Sequence, residues 1–229
     1  MNHREYLDVS DLATNWSCTH CLFLGPFSPT NVFHDPKTTA PNDSMDAPKV
    51  RLLRGLKIAH LNVNRLVNKL DGVRKLMSTN IFDVLALSDT WLSLKISDCE
   101  VTIPGYSVVR KDRNGSAKLN GGGVLLYIRD NIPFTVKNEL AANNEELLWI
   151  EMNRPKCKPL LIAATYKPPN VKEANFLESL SNSSAKIDLD RNGLVLMGDF
   201  NIDQLGKSSA SRLLKSFAVV NDMNQLFYK

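Results

Sequence analysis

The pattern of apolar and polar positions divides the chain at about residue 50. Before that point, five prolines are scattered among many Ser, Thr, Asn and Asp residues, and apolar residues follow no sustained period. Such a segment buries too little apolar surface to offset the entropy of ordering, so residues 1–50 are predicted to be a poorly ordered extension. Residues 51–229 alternate between strand-like and helix-like segments and are predicted to form the folded domain.

The strand-like segments of this domain are short apolar runs, many of them rich in β-branched and aromatic residues. They are LKIAHLNVN from Leu56, IFDVLALSDTWL from Ile81, GYSVVRKD from Gly105, GGGVLLYIRD from Gly121, ELLWIEM from Glu146, LLIAATYKPPN from Leu160 and LVLMGDFNID from Leu194. Helical spacing of apolar residues predicts helices over about 69–79, within VKEANFLESLSNSSAK from Val171, and over Ser209–Phe217. Strands outnumber helices, which indicates an α/β fold with two β-sheets packed face to face and helices outside them.

The last strand-like segment carries the most informative polar pattern. Its apolar run meets Gly198, which permits a sharp turn at the end of a buried strand. Asp199, Asn201 and Asp203 then occupy alternate positions and would share one face if the extended conformation continued. That arrangement would suit a hard divalent cation or a water awaiting deprotonation. The alternative is an Asx-rich turn after a core strand.

Three other predicted strands also end in polar side chains. The first is followed by Asn62 and Asn64, the second by Asp89, and the third by Tyr166. If these ends meet the end of the last strand at one edge, they form a cluster of carboxylate and amide oxygens. Mg²⁺ and Mn²⁺ prefer such oxygen ligands, so the sequence predicts a divalent metal site there.

Composition narrows the class of protein only slightly. The chain has 229 residues, of which 43% are hydrophobic, and this is enough for one domain with a buried core. The net charge of +4 is compatible with a polyanionic partner such as DNA. The N-terminus lacks the apolar block of a signal peptide and no run is long enough for a membrane span, so an intracellular location is expected.

Two further clusters each have a nonfunctional interpretation and a functional one. Cys18, His20 and Cys21 lie close together, but no second regularly spaced pair of ligands accompanies them, which favours an incidental cluster over a zinc site. The basic, Gly-rich link RKDRNGSAKLNGGG, from Arg110 to Gly123, is typical of a solvent-facing loop. Contact with phosphate is the alternative interpretation of that link.

In order, the motifs LNVN, SDTW, TYKPPN and GDFNID closely resemble those of the endonuclease/exonuclease/phosphatase superfamily. They are most similar to the apurinic-type endonuclease domain of non-LTR, LINE-like retrotransposons. The resemblance covers about Leu56 to Phe227 and depends on four ordered motifs together. It implies a four-layered α/β sandwich, Mg²⁺ or Mn²⁺ as cofactor, and hydrolysis of DNA phosphodiester bonds. Nuclear access would be expected for an active retroelement enzyme.

The resemblance also implies roles for residues of the first two motifs. Asn62 would help to hold the metal or its water, with Asn64 beside it. Asp89 would be the principal metal ligand, although the family pattern normally has Glu there. Asp is one methylene shorter, so the metal would have to shift or be reached through water.

The third and fourth motifs would act on the phosphate. Tyr166 would donate a hydrogen bond to the scissile phosphate, and Asp199 would orient or deprotonate the attacking water. Asn201 would hold a nonbridging oxygen and stabilise the charged transition state. Asp203 lies just outside these positions and is expected to be structural.

The resemblance implies further strands and a final Asp-His pair, yet the chain has no histidine after His60. We therefore expect a C-terminally truncated domain with weak or absent activity, because catalytic groups that act as a unit fail together. Two alternatives remain from the sequence alone. One is a phosphatase or phosphodiesterase on small phosphate esters, and the other is a nonenzymatic module that binds nucleic acid or another partner.

Overall fold

The computed structural model describes residues 24–25, 55–113, 121–142, 145–153, 157–203 and 206–225. Of the predicted N-terminal extension, Leu24–Gly25 alone lies within these ranges. Those two residues form a short strand. For the rest of residues 1–50 the predicted disorder lies outside the described residues, as does the cluster of Cys18, His20 and Cys21. None of the helices within the described ranges combines the length and apolar character that a membrane span requires.

The described residues form ten strands and four α-helices. The strands are β1 (Leu24–Gly25), β2 (Ile58–Asn62), β3 (Val84–Ser88), β4 (Tyr106–Lys111), β5 (Val124–Arg129), β6 (Phe134–Val136), β7 (Leu147–Met152), β8 (Leu160–Tyr166), β9 (Gly193–Asp199) and β10 (Asn224–Gln225). The helices are α1 (Leu70–Ser78), α2 (Asp98–Val101), α3 (Glu173–Ser184) and α4 (Ser209–Val220). The seven predicted strands and three predicted helices are present, and short elements such as β6 and α2 were not predicted.

The strands form two sheets, as predicted. The smaller sheet has the order β2-β3-β5-β4 and the larger has the order β10-β1-β9-β8-β7-β6. Each sheet contains one parallel pair, β2 with β3 and β8 with β9, and a helix connects the strands of each pair. Because the two strands of a parallel pair point the same way, their carboxyl ends lie at the same edge of the sheet.

Three layers of buried apolar residues hold these elements together. The middle layer lies between the sheets and includes Ala86 and Leu126 from the smaller sheet and Ile162 from the larger. One outer layer packs α3 and α4 against the larger sheet, and the other packs α1 against the smaller sheet. The order of layers is helix, sheet, sheet, helix, which confirms the predicted four-layered α/β sandwich.

Candidate active site

A hydrogen bond joins the carboxyl ends of the two parallel pairs. Asn62, the last residue of β2, donates from Nδ2 to Oδ2 of Asp199, the last residue of β9, at 2.5 Å. The Asn62 Oδ1 atom accepts a hydrogen bond from the backbone N–H of Asn64 at 3.0 Å. The amide of Asn62 is thereby held in one orientation and aims its N–H at the carboxylate. We call the shared edge at the carboxyl ends of β2, β3, β8 and β9 the rim.

The Asp199 carboxylate is fixed from both sides. Its side chain is buried, with the residue 8% exposed, and its Oδ1 atom accepts from the backbone N–H of Asn201 at 2.9 Å. Since Oδ2 accepts from Asn62, each oxygen of this buried acid has a strong donor. A buried carboxylate with a donor on each oxygen is well suited to hold one orientation toward a substrate or a water.

The alternation that the sequence suggested beyond Asp199 stops at once. Asn201 has a left-handed backbone (φ 47°), so the strand does not continue through it. Its Nδ2 atom donates to the backbone carbonyl of Lys167 at 2.8 Å. Asp203 accepts from the backbone N–H of Gly206 at 3.2 Å, as a turn residue does. The structure brings Asp199 and Asn201 together at the rim, whereas Asp203 lies in the turn that follows.

Gly198 has a different role from the one its position in the sequence suggested. It lies inside β9 rather than at a turn, and a Cβ atom there would collide with the backbone carbonyl of Thr165 in β8. The two strands can therefore approach closely at this point only with glycine. This close approach sets Asp199 beside its register partner Tyr166.

Asp89 reaches the rim from the turn that follows β3. Its backbone is left-handed (φ 56°), and its Oδ1 atom accepts from Nε1 of Trp91 at 2.9 Å and from the backbone N–H of Gly122 at 2.7 Å. Its Oδ2 atom accepts no hydrogen bond from any described residue. Asp89 thus presents one oxygen that is fixed by the protein and one that no described residue holds.

Tyr166 lies where the charges of both sheets act. The residue is 7% exposed, and its backbone N–H donates to the carbonyl of Glu146 at 3.0 Å. Burial raises the pKa of its phenol most, and the negative charges of Asp89, Asp199 and Glu146 raise it further, against the opposing effect of Arg113. A phenol is already protonated at neutral pH at its ordinary pKa, and this shift keeps it so, which leaves it able to donate a hydrogen bond to an anion.

Sequence reasoning missed Glu146, and it singled out Arg113 only as one of several basic residues in a link that could contact phosphate. Glu146 accepts from Nε of Arg113 at 2.5 Å through Oε1, and from the backbone N–H of Gly123 at 2.5 Å through Oε2. Burial is the main effect on the Glu146 carboxyl and raises its pKa, although both hydrogen bonds oppose this. The available signals were the basic link that contains Arg113 and the position of Glu146 just before an apolar strand.

His60 is close to the site in sequence but is not an exposed catalytic group. Its Nε2 atom lies 3.0 Å from Oγ of Ser88, and the residue is buried. Burial lowers its pKa from 6.5 to about 3. The imidazole is therefore neutral at physiological pH and cannot supply a positive charge to a phosphate.

The donor set at the rim fits a hard cation with only a few protein ligands. Within the described residues, no group of three or more His, Cys, Asp or Glu side chains has the arrangement of a metal centre. Mg²⁺, however, usually keeps several waters and takes only one or two carboxylates from a protein. The open Oδ2 atom of Asp89 meets that requirement.

An α/β sandwich with carboxylates, amides and a tyrosine gathered at one edge is an arrangement suited to phosphate-ester hydrolysis. Residues 59–213 match the sequence model of the Endonuclease/Exonuclease/phosphatase family. The chain belongs to this family, whose members are hydrolytic nucleases and phosphatases. No curated protein sequence matches the chain significantly.

Several solved structures share the fold. The endonuclease domain of TRAS1, a telomere-specific non-LTR retrotransposon, has a TM-score of 0.59 at 11% identity over 76% of this chain and 74% of that one. The catalytic domain of human Nocturnin has a TM-score of 0.53 at 14% identity, covering 70% and 68%. The 3′-5′ exonuclease NExo of Neisseria meningitidis has a TM-score of 0.51 at 19% identity, covering 72% and 71%. These identities establish a shared fold.

Proposed function

We propose that this protein is a metal-dependent endonuclease of the non-LTR retrotransposon type, which hydrolyses DNA phosphodiester bonds. The observation that carries the proposal is the Asn62–Asp199 hydrogen bond at the rim, which holds a buried carboxylate in one orientation. Two similar folds support DNA as the substrate. They are the TRAS1 endonuclease domain and, at a TM-score of 0.50, a Neisseria NExo 3′ phosphatase bound to a product DNA hairpin.

Each residue at the rim has a role that its contacts support. Asp199 orients the attacking water and accepts its proton, while the Asn62 N–H keeps the carboxylate aimed. Tyr166 donates its phenolic hydrogen to a phosphate oxygen, because its raised pKa keeps it protonated. Asn201 stabilises a nonbridging oxygen as charge develops there, with its orientation fixed by the Lys167 carbonyl.

Asp89 and Asn62 are the residues that would hold Mg²⁺ or Mn²⁺. Such a cation, when bound, polarises the phosphate and offsets its charge. Asp89 would offer its open Oδ2 atom, and Asn62 the second lone pair of an Oδ1 atom that already accepts from Asn64. Asn64 and Asp203 support the turns on either side and are not proposed to touch the substrate.

We also infer that the activity of these 229 residues is weak and that DNA phosphates are the binding partner. The nucleus would be the site of action of an active retroelement enzyme. Low activity is expected because the one histidine in the matched segment, His60, is buried and neutral. No imidazolium from that segment could stabilise charge on the phosphate during hydrolysis.

Nicking of supercoiled plasmid by the full chain tests the proposal, with Mg²⁺, with Mn²⁺ and with EDTA. The expected result is slow nicking that requires the metal and is abolished in Asp199→Ala. Asp203→Ala is the matched control, because it removes a nearby carboxylate that belongs to a turn. Nicking that persists in Asp199→Ala or in EDTA would contradict the proposed mechanism, as would the loss of nicking in Asp203→Ala alone.

A nonenzymatic binding module is the second candidate, and the neutral, buried His60 is the observation that favours it. A protein of that kind would bind DNA equally well with and without a divalent metal and would nick nothing. A phosphatase on small esters would instead release phosphate from a soluble ester while leaving plasmid intact. Measuring plasmid nicking and phosphate release on one preparation separates the three candidates: an endonuclease gives nicking, a phosphatase gives phosphate release, and a binding module gives neither.

A further inference from the structure

We propose that Arg113 is a phosphate-binding cation of this site and that Glu146 is the positioning residue that holds it in place. The inference deepens the proposed function and rests on it, because it assumes that a DNA phosphate occupies the rim. It takes up the second interpretation of the basic, Gly-rich link, contact with phosphate, at Arg113 alone; residues 114–120 of that link lie outside the described residues.

Arg113 is anchored through its Nε atom by an acid whose side chain is largely sheltered from solvent. Its Nε atom donates to Oε1 of Glu146 at 2.5 Å, and the Glu146 side chain is 9% exposed. The other Glu146 oxygen accepts from the backbone N–H of Gly123. Glu146 thus fixes both the arginine and the glycine turn, and a charged hydrogen bond in so sheltered a position is strong.

The glycine turn leaves the space that the guanidinium occupies. Gly122 has a left-handed backbone (φ 76°), and a Cβ atom on it would collide with the Arg113 guanidinium. A Cβ atom on Gly121 would stand 3.6 Å from Nη1 of Arg113 and 3.6 Å from Nε1 of Trp91. The guanidinium therefore lies against this turn and near the indole nitrogen that donates to Asp89.

The guanidinium also lies near the Tyr166 ring. The central carbon of Arg113 is 6.0 Å from the centroid of the Tyr166 ring, and its positive charge lowers the pKa of that phenol. Arg113 consequently lies close both to Tyr166 and to the glycine turn whose Gly122 N–H holds Asp89. This is the region in which the proposed function requires a phosphate.

The outer donors of Arg113 are available to such a ligand. Its described hydrogen bond uses Nε, and neither Nη1 nor Nη2 donates to any described residue. The side chain is 28% exposed, so the guanidinium is not sealed from solvent. A planar guanidinium whose two terminal nitrogens donate to no described residue matches two nonbridging oxygens of a phosphate in a bidentate contact.

The negative charges around the site favour a cation at this position. The negative charges of Asp89, Asp199 and Glu146 all act on Tyr166, and Arg113 is the cation among the described residues that opposes them there. A DNA phosphate at the rim would be repelled by these carboxylates without a compensating positive charge. The Arg113 guanidinium supplies that positive charge.

The test measures binding of a fluorescent DNA duplex by anisotropy over a range of salt concentrations, with Ca²⁺ and again with EDTA. We expect Arg113→Gln to weaken binding about tenfold and to reduce the slope of log affinity against log salt by about one, as the loss of one phosphate contact does. Arg113→Lys keeps the positive charge but loses the two terminal nitrogens of the planar guanidinium. Affinity should therefore fall several-fold, with the slope of log affinity against log salt unchanged. Glu146→Gln should act in the same direction as Arg113→Gln with a smaller effect.

Arg191→Gln is the matched control. Arg191 is an exposed arginine, 86% accessible, that pairs with Asp188 just before β9, at the end of the strand opposite Asp199. Its removal should leave affinity and slope at the wild-type values. Thermal melting of each variant shows which ones are folded.

Wild-type affinity and slope in folded Arg113→Gln would overturn the inference and leave a structural ion pair. Where Arg113→Gln does not fold, wild-type affinity in Arg113→Lys would overturn it instead. Failure of the wild-type chain to bind DNA would overturn it as well. A chain that binds DNA through Arg113 but never nicks it would contradict the proposed hydrolysis and leave the role of Arg113 intact.

Discussion

The two parallel strand pairs bring carboxylates to the same rim by different means. In the larger sheet, Asp199 is part of β9, so the register of the strand places it, and both of its oxygens have donors. In the smaller sheet, β3 ends at Ser88, and Asp89 follows in a left-handed turn with one oxygen held by Trp91 and Gly122. The position of Asp199 is thus set by a strand, and that of Asp89 by a turn.

This difference suits Asp199 and Asp89 to different chemical roles. A buried carboxylate with one donor on each oxygen has a fixed direction and keeps lone pairs that can receive a proton. A carboxylate with one open oxygen can take up and release a cation together with its waters. We therefore expect Asp199 to govern the chemical step and Asp89 to govern the dependence on metal.

The largest expected effect separates those two roles directly. Asp199→Asn keeps the shape of the side chain but removes the base, so the rate of nicking should fall about 10²–10⁴-fold at every Mg²⁺ concentration. Asp89→Asn should also reduce the rate, but raised Mg²⁺ should restore part of it, because the loss lies in metal affinity. Nicking rates measured across a Mg²⁺ titration decide this. Equal recovery of both variants would contradict the assignment.

The strand that locks Asp199 can itself be disrupted. Gly198→Ala places a Cβ atom against the Thr165 carbonyl and should lower the free energy of unfolding by about 3 kcal/mol, since the obstacle is backbone. Gly105→Ala is the control, because Gly105 has a left-handed backbone but no atom within 4 Å of the added carbon. It should cost only about 1 kcal/mol. Urea unfolding measures both, and a reversed order would refute the close approach of β8 and β9.

The same two regions show what the sequence could predict. Apolar runs that stop at polar residues located the ends of β2, β3, β8 and β9, because burial and alternation are local properties of a strand. The alternation past Asp199 was misleading because the left-handed backbone of Asn201 is a tertiary outcome. The reason for Gly198 lies in the neighbouring strand, which no pattern within its own segment reveals.

Glu146 and Arg113 illustrate the other limit. They are 33 residues apart, and their contact depends on how the strands and the glycine turn come together. In the sequence, Glu146 is simply one of two acids before a strand, and Arg113 is one of several basic residues in a loop. Long-range pairing of this kind is decided by packing rather than by local composition.

His60, which lies in the smaller sheet, should make the stability of the folded protein depend on pH. His60 in β2 has a folded-state pKa of about 3 against 6.5 in the unfolded chain, so below pH 6.5 the unfolded chain binds a proton that the folded protein does not. Stability therefore falls as pH decreases from 6.5 toward 3, by about 2 kcal/mol between pH 6.5 and pH 5. Urea unfolding of wild type and His60→Gln at both pH values measures this contribution.

His60→Gln can keep a hydrogen bond to Ser88 but cannot titrate, so its stability should change less across the same interval. The residual change in the variant reports all other groups, including the acids of the larger sheet. An identical change in wild type and variant would show that His60 does not contribute to acid sensitivity.

The smallest expected effect concerns the turn that holds Asp89. Trp91→Phe removes the Nε1 donor to Asp89 Oδ1 while the Gly122 donor remains. The free energy that holds the Asp89 carboxylate in its present orientation should therefore decrease by about 1 kcal/mol. Nicking should fall several-fold, and half-maximal activity should require more Mg²⁺. Trp149→Phe is the matched control, because the Trp149 indole nitrogen is buried without a hydrogen-bond partner among the described residues. A shift in metal requirement in Trp91→Phe alone would tie the position of Asp89 to its turn, whereas the same shift in both variants would reflect general loosening of the fold.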